Sequence, residues 1–348
     1  MTYLMEKKLP KCLFFCLDRF LRLFHKSHEI KNMGKILLCN IAHLGDVVIA
    51  TSVIPLLKNA LPDSQIGFLT SSYASCVINK HPAVTWKHEV NHWKLSRDSL
   101  SLLQKIKAYS LSKKQALTEI RAVGYDIAID LYPYFPNAIP LLAQSKIPVT
   151  IGYASGGFSP LLTHPISFEK KSQTMMAYHA DLVKILPVHL NASHLHYDLP
   201  QPKKNIPPSW GLAEDFVLFH VGSGESSRNW DESSWCALTK LMGDQPIVFT
   251  GKGMQETGRI QRIIQNARKG LDLSSKLSWE ELCLVVSLAK ATVSADTAVM
   301  HIAEAFDVFS IGIFNDPQRS LLWKAPHTEV LLSPLAGEVF KTLSKSFK

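Results

Sequence analysis

The chain has 348 residues, of which 46% are hydrophobic and 19% are charged, proportions typical of globular proteins rather than of disordered or collagen-like chains. This length predicts about two domains. The formal net charge is +9, yet residues 1–35 contribute +5 and residues 338–348 contribute +2. The 302 residues between them carry only +2. Nucleic-acid-binding proteins carry their basic surface on the folded body, so we expect no nucleic-acid partner.

A basic amphipathic helix is the first predicted element. At helical spacing, one face carries Leu13, Leu17, Phe20 and Phe24. The opposite face carries Lys11, Asp18, Arg22 and Lys26. Charged residues interrupt the apolar run well short of the ~20 residues that span a bilayer, and no cleavage site of a signal peptide follows it. Two interpretations stay open: residues 9–26 lie in the surface of an anionic membrane, or the apolar stripe packs on the protein body.

Short apolar runs alternate with helical periodicity from Lys35 onward. The predicted strands are Ile36–Cys39, Ile66–Leu69, Thr85–Val90, Ile127–Leu131, Val149–Tyr153, Phe216–Val221, Ile247–Thr250, Ala291–Ser294 and Phe309–Phe314. Predicted helices between them include Val47–Leu61, Ser234–Met242, Arg259–Ala267 and Trp279–Lys290. This alternation predicts an α/β fold with parallel sheets and crossover helices.

A proline-dense polar stretch at 199–210 predicts a linker between two α/β domains. The predicted order is an N-terminal extension (1–33), a Rossmann-like domain (34–198), the linker, a second Rossmann-like domain (211–333) and a C-terminal segment (334–348). Ligands of such sheets bind at the carboxyl ends of the strands. We therefore expect the two domains to face each other across a ligand-binding cleft.

The six cysteines are scattered, without the paired spacing of zinc ribbons or disulfide frameworks. Cys39 and Cys283 lie in apolar runs and are predicted to be buried thiols. Such usage is typical of a reducing compartment, so we expect a cytoplasmic protein.

The first candidate motif follows the first strand, where residues 39–46 read Cys-Asn-Ile-Ala-His-Leu-Gly-Asp. Gly45 permits a tight turn, and Asp46 then begins a helix. A carboxylate at that place is expected to point into the cleft. The alternative is that Asp46 only caps the helix, as aspartate often does.

Two strand ends in the second half carry residues suited to a phosphorylated ligand. In the Gly/Ser-rich loop 222–230, small residues let backbone N–H groups approach phosphate oxygens, while Ser223 adds a hydroxyl and Arg228 a fixed cation. The next strand leads into a glycine turn with Gly251 and Glu256, whose carboxylate is expected to reach a ribose. The alternatives are a plain polar loop and a plain glycine turn.

A third strand ends at Asp296, directly before a predicted helix. The backbone N–H groups of Thr297, Ala298 and Val299 form an anion site at the start of that helix, strengthened by the helix dipole. Asp296 is expected to accept from sugar or ribose hydroxyls, and His301 lies one turn on. The alternative is a capped core helix with a buried, hydrogen-bonded histidine.

Residues 88–92 match the zinc-protease pattern H-E-x-x-H. That pattern needs a helix that presents both histidines and a third ligand further along the chain. Here it falls at the end of a predicted edge strand, and no Gly-x-x-His follows. We therefore predict no metal site.

Taken in order, these motifs resemble glycosyltransferase family 9, the lipopolysaccharide heptosyltransferases, over about residues 34–335. The N-terminal pattern comprises Lys35–Leu38, Leu44–Val48, Pro55, Leu61–Ile66, His81–Val84 and Tyr125–Leu131. The C-terminal pattern comprises Asp296 and Thr297 with Met300–Ala303 behind them.

The resemblance implies a GT-B fold with two Rossmann-like domains, the first for the acceptor and the second for a nucleotide-sugar, ADP-heptose in typical members. It implies inverting, metal-independent transfer to lipopolysaccharide core or another surface glycan, with no cofactor beyond the donor. Asp46 would be the general base. Ser223, Arg228 and the helix start at Thr297–Val299 would receive the diphosphate.

Three departures from the family pattern fall in the donor site. Ala298 replaces the usual glycine, Arg228 stands where many members have lysine, and the segment 314–317 is shorter than usual. Two alternatives therefore stay open, a different nucleotide-sugar or a non-catalytic sugar-nucleotide or glycan-binding relative. We expect a monomer with peripheral inner-membrane contact through residues 9–26, and a C-terminal segment that packs toward the N-terminal domain.

Overall fold

The computed structural model describes residues 4, 8–95, 100–203 and 206–347. Side chains of residues 8–13 are outside the description, so the predicted places of Lys11 and Leu13 lie outside the described residues. The chain forms two compact units: unit 1 comprises residues 1–171 and 176–198, and unit 2 comprises residues 172–175 and 199–348. The division after residue 198 coincides with the start of the predicted linker.

Each unit is built from alternating helices and strands. The helices are α1 Lys8–Leu21, α2 Leu44–Thr51, α3 Val53–Ala60, α4 Leu102–Val123, α5 Ile139–Ser145, α6 Met175–Val183, α7 Glu232–Leu241, α8 Met254–Ala267, α9 Trp279–Leu288, α10 Ala298–Ala305, α11 Pro317–Trp323 and α12 Ala336–Leu343. The strands are β1 Lys35–Asn40, β2 Gln65–Thr70, β3 Val84–Glu89, β4 Ile127–Asp130, β5 Val149–Tyr153, β6 His164–Ile166, β7 Val217–His220, β8 Ile247–Thr250, β9 Leu271–Asp272, β10 Ala291–Ala295, β11 Ser310–Phe314 and β12 Glu329–Leu332.

The sheet of unit 1 is parallel, with strand order β3-β2-β1-β4-β5-β6. Its central strands are continuous apolar runs because both faces are covered, as in other parallel sheets. The chain leaves β1 toward β2 and later returns to the other side of β1 with β4, so the strand order reverses between them. Cys39 lies opposite Asp130 in that pair. Ligands of such sheets bind beyond the carboxyl ends of the strands at the point of reversal.

The sheet of unit 2 repeats this plan, with order β12-β11-β10-β7-β8-β9 and parallel pairing throughout. The reversal lies between β7 and β10, where His220 pairs with Ser294. Phe219, Phe249 and the fully buried Trp235 fill the core on one face. The carboxyl ends of β7, β8, β10 and β11 therefore share one edge, which brings together the loops that follow them.

The α/β prediction with parallel sheets is confirmed, and all nine predicted strands are present within a residue or two. β6, β9 and β12 were not predicted because two to four residues carry too little pattern. The predicted helix 47–61 is divided into α2 and α3 at Ser52, whose hydroxyl donates to the Ile49 carbonyl at 2.6 Å. As predicted, the thiols of Cys39 and Cys283 are buried.

The C-terminal segment contributes to the core of unit 2. The apolar face of α12 places Val339 and Leu343 in the hydrophobic core of unit 2, where α12 packs beside α7. The indole N–H of Trp230 also donates to the Pro334 carbonyl at 3.0 Å. The segment is therefore part of unit 2, because its apolar stripe completes that core.

Helix α1 contacts unit 1 through a face other than the one predicted. The ring of Phe14 meets that of Phe158 edge-to-face, with centroids 5.2 Å apart. Asp18, predicted on the polar face, is buried and accepts a hydrogen bond from Ser159 Oγ at 3.4 Å. Phe20 and Phe24, predicted on the apolar face, are exposed. Among the described residues, no helix is long and apolar enough to cross a membrane.

Candidate functional site

Asp46 lies in the first turn of α2, beyond the carboxyl end of β1. The backbone N–H of His43 donates to Asp46 Oδ2 at 3.2 Å, and the Asn40 side-chain amide donates to the Asp46 carbonyl at the same distance. The first of these bonds makes Asp46 part of the capping box of α2, whose N-cap residue is His43. The residue is only half-buried, so the cap orients the carboxylate and leaves it accessible. Capping and a chemical role are therefore compatible here.

Two further polar residues lie at the end of β4, the strand beside β1, and sequence reasoning missed both. Asp130 ends β4 fully buried, and its Oδ1 accepts the Tyr132 N–H at 3.2 Å. Burial raises the pKa of Asp130 to about 7, against the opposing effect of that N–H. Burial, and then the nearby charge of Asp46, raises the pKa of the Tyr132 hydroxyl. An aspartate at a strand end beside the point of reversal was the available signal.

Gly251 and Glu256 lie beside the Gly/Ser loop in unit 2. The Glu256 carboxylate accepts the Lys252 N–H at 2.8 Å. A Cβ placed on Gly222 would overlap this carboxyl group, and one on Gly251 would lie 2.9 Å from Glu256 Oε2. Glu256 thus lies across two glycines at the ends of neighbouring strands. Glycine is needed at Gly222 because any side chain would displace the carboxylate.

Replacing Gly222 with alanine is therefore expected to displace Glu256 and weaken nucleotide binding. Overpacking of this kind costs about 1–3 kcal/mol of folding free energy. Calorimetric titration with nucleotide and urea unfolding measure the two effects. Gly337→Ala in α12 is the matched control, because no atom lies within 4 Å of its Cβ position and alanine favours helix. Equal nucleotide affinity in the Gly222 and Gly337 variants would contradict the expectation that Glu256 binds a ribose.

Ser223 shapes the loop after β7. Its hydroxyl contacts both the Glu225 carbonyl and Asn229 Oδ1, the latter at 2.8 Å. The loop then forms a helical turn over Ser226–Arg228. This folded loop carries Arg228 toward the end of β10, the strand beside β7.

Arg228 and Arg319 both contact the Asp296 carboxylate. Arg228 follows β7 and Arg319 follows β11, the two strands on either side of β10. Arg319 Nε contacts Asp296 Oδ2 directly, and Arg228 Nη1 lies 3.6 Å from the same oxygen and 3.3 Å from the Asp296 carbonyl. Arg319 comes from α11, which follows β11, and sequence reasoning did not single it out. The cluster borders a pocket of about 250 Å³. Its remaining lining residues are Glu225, Ser227, Phe314, Asn315 and Asp316.

Thr297 is the N-cap of α10, and Ala298 begins the helix next to the pocket. The Val299 side chain is buried, so the group of this residue that is available to a ligand is its backbone N–H. His301 is also buried, and burial lowers its pKa to about 4 despite the nearby charge of Asp296. The structure thus favours a neutral core histidine at His301 over a charged ligand-binding group.

Acid is expected to destabilise the protein through such buried histidines. The pKa of His301 is about 4 when folded and near 6.5 when unfolded, so its contribution is fully present above pH 6.5 and is lost as the pH falls toward 4. His301→Gln should reduce the pH dependence of unfolding free energy by about 1.4 kcal/mol per pH unit. Urea unfolding between pH 7 and 5 measures this slope. The exposed His189→Gln should leave it unchanged, and equal slopes in both variants would refute the argument.

The H-E-x-x-H segment is not arranged as a metal site. His88 lies on β3, where Nδ1 contacts Glu119 at 3.0 Å and Nε2 contacts the Tyr125 hydroxyl at 2.8 Å. His92 stacks on Trp93 in the following loop. Within the described ranges, no cluster of three or more His, Cys, Asp or Glu side chains is placed to hold a metal ion.

Comparison with known proteins identifies the family. The sequence model of "Glycosyltransferase family 9 (heptosyltransferase)" matches residues 114–341, well over half of the chain. The chain belongs to glycosyltransferase family 9. It is therefore an enzyme of the heptosyltransferase type.

Relatives of this family 9 transferase cover most of its length. Lipopolysaccharide heptosyltransferase 3 of Escherichia coli is 19% identical over 313 residues, which are 84% of this chain and 86% of that protein. A solved structure from Veillonella parvula, named as a family 9 glycosyl transferase, matches with TM-score 0.74 at 17% identity. The match covers 92% of this chain and 99% of the Veillonella parvula chain.

A second solved structure is E. coli heptosyltransferase WaaC with ADP-2-deoxy-2-fluoro heptose. It matches with TM-score 0.68 at 19% identity, over 89% of this chain and 99% of that one. At such identity the likeness concerns the fold. The fold of this family 9 transferase is accordingly GT-B, with two Rossmann-like domains.

Proposed function

We propose that this enzyme transfers heptose, or a related sugar, from an ADP-activated donor to lipopolysaccharide core or another surface glycan. The transfer would invert the anomeric centre and need no metal ion. The observation that carries this proposal is the pair of arginines around Asp296 at the start of α10. Relatives named as lipopolysaccharide heptosyltransferases, one of them solved with an ADP-heptose analogue, support the donor and the acceptor class.

The diphosphate of the donor is assigned to the start of α10. Its oxygens would accept hydrogen bonds from the N–H groups of Ala298 and Val299, where the helix dipole favours negative charge. Arg228 and Arg319 are the two cations of this pocket, and Asp296, Glu225 and Asp316 are its carboxylates. The diphosphate would therefore bind by drawing the two guanidinium groups from these carboxylates to its own oxygens. As the sugar leaves, charge grows on the diphosphate, and prearranged donors stabilise that charge most in the transition state.

The nucleoside is assigned to the neighbouring strand ends. Glu256, lying across Gly222 and Gly251, would accept hydrogen bonds from the ribose hydroxyls. The pKa of His220, at the end of β7, is lowered to about 4 by burial, so the imidazole there is neutral at physiological pH. It contacts Thr250 Oγ1 at 2.9 Å, which fixes its ring beside this edge.

Asp46 is proposed as the general base. Its carboxylate would take the proton of the acceptor hydroxyl while that oxygen attacks the anomeric carbon from the face opposite the diphosphate. The new glycosidic bond forms as the bond to the diphosphate breaks, and the proton remains on Asp46 until water removes it. Diphosphate leaves without protonation, so one carboxylate suffices. The His43 N–H holds the base in a fixed orientation.

The acceptor is proposed to be lipid-linked, which places the enzyme at the cytoplasmic face of the inner membrane. Residues 9–26 would provide peripheral contact, since exposed Phe20 and Phe24 accompany exposed Arg22 and Lys26. A monomer is proposed for this enzyme.

Calorimetric titration with ADP, UDP and GDP tests the donor assignment. ADP is expected to bind at least tenfold more tightly than the other two, and EDTA is expected to leave transfer from ADP-heptose unchanged. Preference for UDP or GDP would assign another nucleotide-sugar, an outcome that Ala298 and the short loop 314–317 make worth testing. No response to any nucleotide, with glycan binding retained, would favour a non-catalytic relative.

A further inference from the structure

The first turns of α4 carry an apolar surface that the described residues of unit 1 leave exposed. The buried side chains of this 22-residue helix, Ala116 and Ile120, both lie in its second half. Near its start, four large apolar side chains are 44–80% exposed: Leu102, Leu103, Ile106 and Leu111. Large exposed apolar side chains grouped along one stretch of helix indicate an interaction site.

The same turns are basic throughout. Residues 102–114 contain four lysines and no acidic residue. Lys107 and Lys114 are exposed beside the apolar side chains. Apolar side chains with basic neighbours match a bilayer whose anionic headgroups lie above hydrocarbon. A second copy of the chain on this surface would instead bring lysines against lysines, which costs free energy.

A chain of contacts joins this surface to α1. His92 packs on Tyr109 of α4 and on Phe135, with ring centroids 5.0 and 5.3 Å apart. The Phe135 backbone lies 3.2 Å from the Cβ position of Gly156. The next residue, Gly157, is covered by Phe14 of α1. A Cβ placed on Gly157 would lie 2.6 Å from Phe14 Cδ1. These contacts follow the carboxyl edge of the first sheet, the edge beyond which Asp46 lies.

We propose that the start of α4 and the exposed face of α1 form one docking surface for an anionic phospholipid bilayer. From α1 this surface takes Phe15, Phe20 and Arg19, and from the segment that follows the helix it takes Arg22, Leu23, Phe24 and Lys26. Two insertion points on one edge fix the orientation of unit 1, whereas a single helix permits rotation about the anchor. The inference rests on the proposed lipid-linked acceptor for its purpose, because it holds Asp46 toward the membrane that carries that acceptor.

Vesicle co-sedimentation of the full chain tests the docking surface, without donor or acceptor present. Wild-type protein is expected to bind phosphatidylcholine vesicles that contain phosphatidylglycerol and to bind pure phosphatidylcholine far less. The double variant Leu103→Ser/Leu111→Ser should bind at least about 100-fold more weakly, because two inserted side chains are lost. Leu241→Ser/Leu335→Ser is the matched control, since both leucines are exposed on unit 2, and it should bind as wild type.

Charge reversal tests the electrostatic part independently. Lys107→Glu/Lys114→Glu should lower vesicle affinity by about fivefold or more per lysine, the magnitude for one basic residue at an anionic surface. Lys240→Glu/Lys341→Glu makes the same change at exposed positions of unit 2 and should have little effect. Circular dichroism of each variant verifies that the helices are retained.

Any one of three results would overturn the inference. Wild-type protein could bind vesicles with the same affinity whether or not they contain phosphatidylglycerol, or both α4 variants could bind vesicles as wild type does. The third result is a wild-type dimer that the α4 variants convert to monomer. The last would assign the surface to a second copy of the chain. ADP titration of the same preparations separates this inference from the proposed function. Intact vesicle binding without nucleotide binding would refute the proposed function alone, and the reverse would refute the docking surface alone.

Discussion

Replacing Asp46 with asparagine is expected to lower the turnover number by at least about 100-fold, the lower end of what general-base catalysis contributes. Asparagine keeps an oxygen that can accept the His43 N–H, so the cap on α2 is retained. The variant loses the negative charge and with it the ability to take the acceptor proton. Affinity for the donor nucleotide should stay within a few-fold, since the residues assigned to the donor belong to unit 2.

Steady-state transfer with calorimetric nucleotide titration measures both quantities. Asp231→Asn provides the matched control, because Asp231 caps α7 by accepting the Ser234 N–H at 2.8 Å and stands outside the proposed site. That variant should transfer sugar normally. Undiminished turnover in Asp46→Asn would remove Asp46 as the base and leave it a capping residue.

Removing Arg228 or Arg319 is expected to weaken donor binding by roughly 10- to 100-fold each. Hydrogen bonds to charged groups contribute about 1.5–3 kcal/mol, and 1.4 kcal/mol is tenfold in affinity. Turnover should fall as well, because charge on the leaving diphosphate increases in the transition state. Arg319→Lys should recover only part of the loss, since lysine lacks the planar pair of donors.

The double variant Arg228→Ala/Arg319→Ala leaves the buried Asp296 carboxylate without either cation. Breaking a buried ion pair by removing a partner costs about 3–5 kcal/mol, so this variant should also unfold at lower urea concentration. Arg262→Ala serves as the control, because Arg262 pairs with Glu232 on the surface of unit 2. Donor affinity that is the same in the Arg319 and Arg262 variants would exclude Arg319 from the diphosphate site.

Local sequence was sufficient to predict the strand ends that form the candidate site. Continuous apolar runs revealed the parallel strands because both faces of each sheet are covered. Asp46, Asp296 and the Gly222 loop follow such runs directly, so their position beyond the carboxyl ends required no knowledge of strand order. The order of these motifs along the chain also identified the family, since each belongs to a local strand–loop–helix unit.

Tertiary structure decided which of these residues meet. Asp296 receives Arg228 and Arg319 because β10 lies between β7 and β11, an order that chain position does not reveal. Strand order likewise brings the Glu256 carboxylate against Gly222. These two residues are 34 positions apart in the sequence and follow neighbouring strands. Asp18 was placed on a solvated face by helical periodicity, yet a loop 141 residues away covers it. The sequence by itself determined the elements and their polar ends; pairing between distant elements, set by burial and strand order, determined the partners.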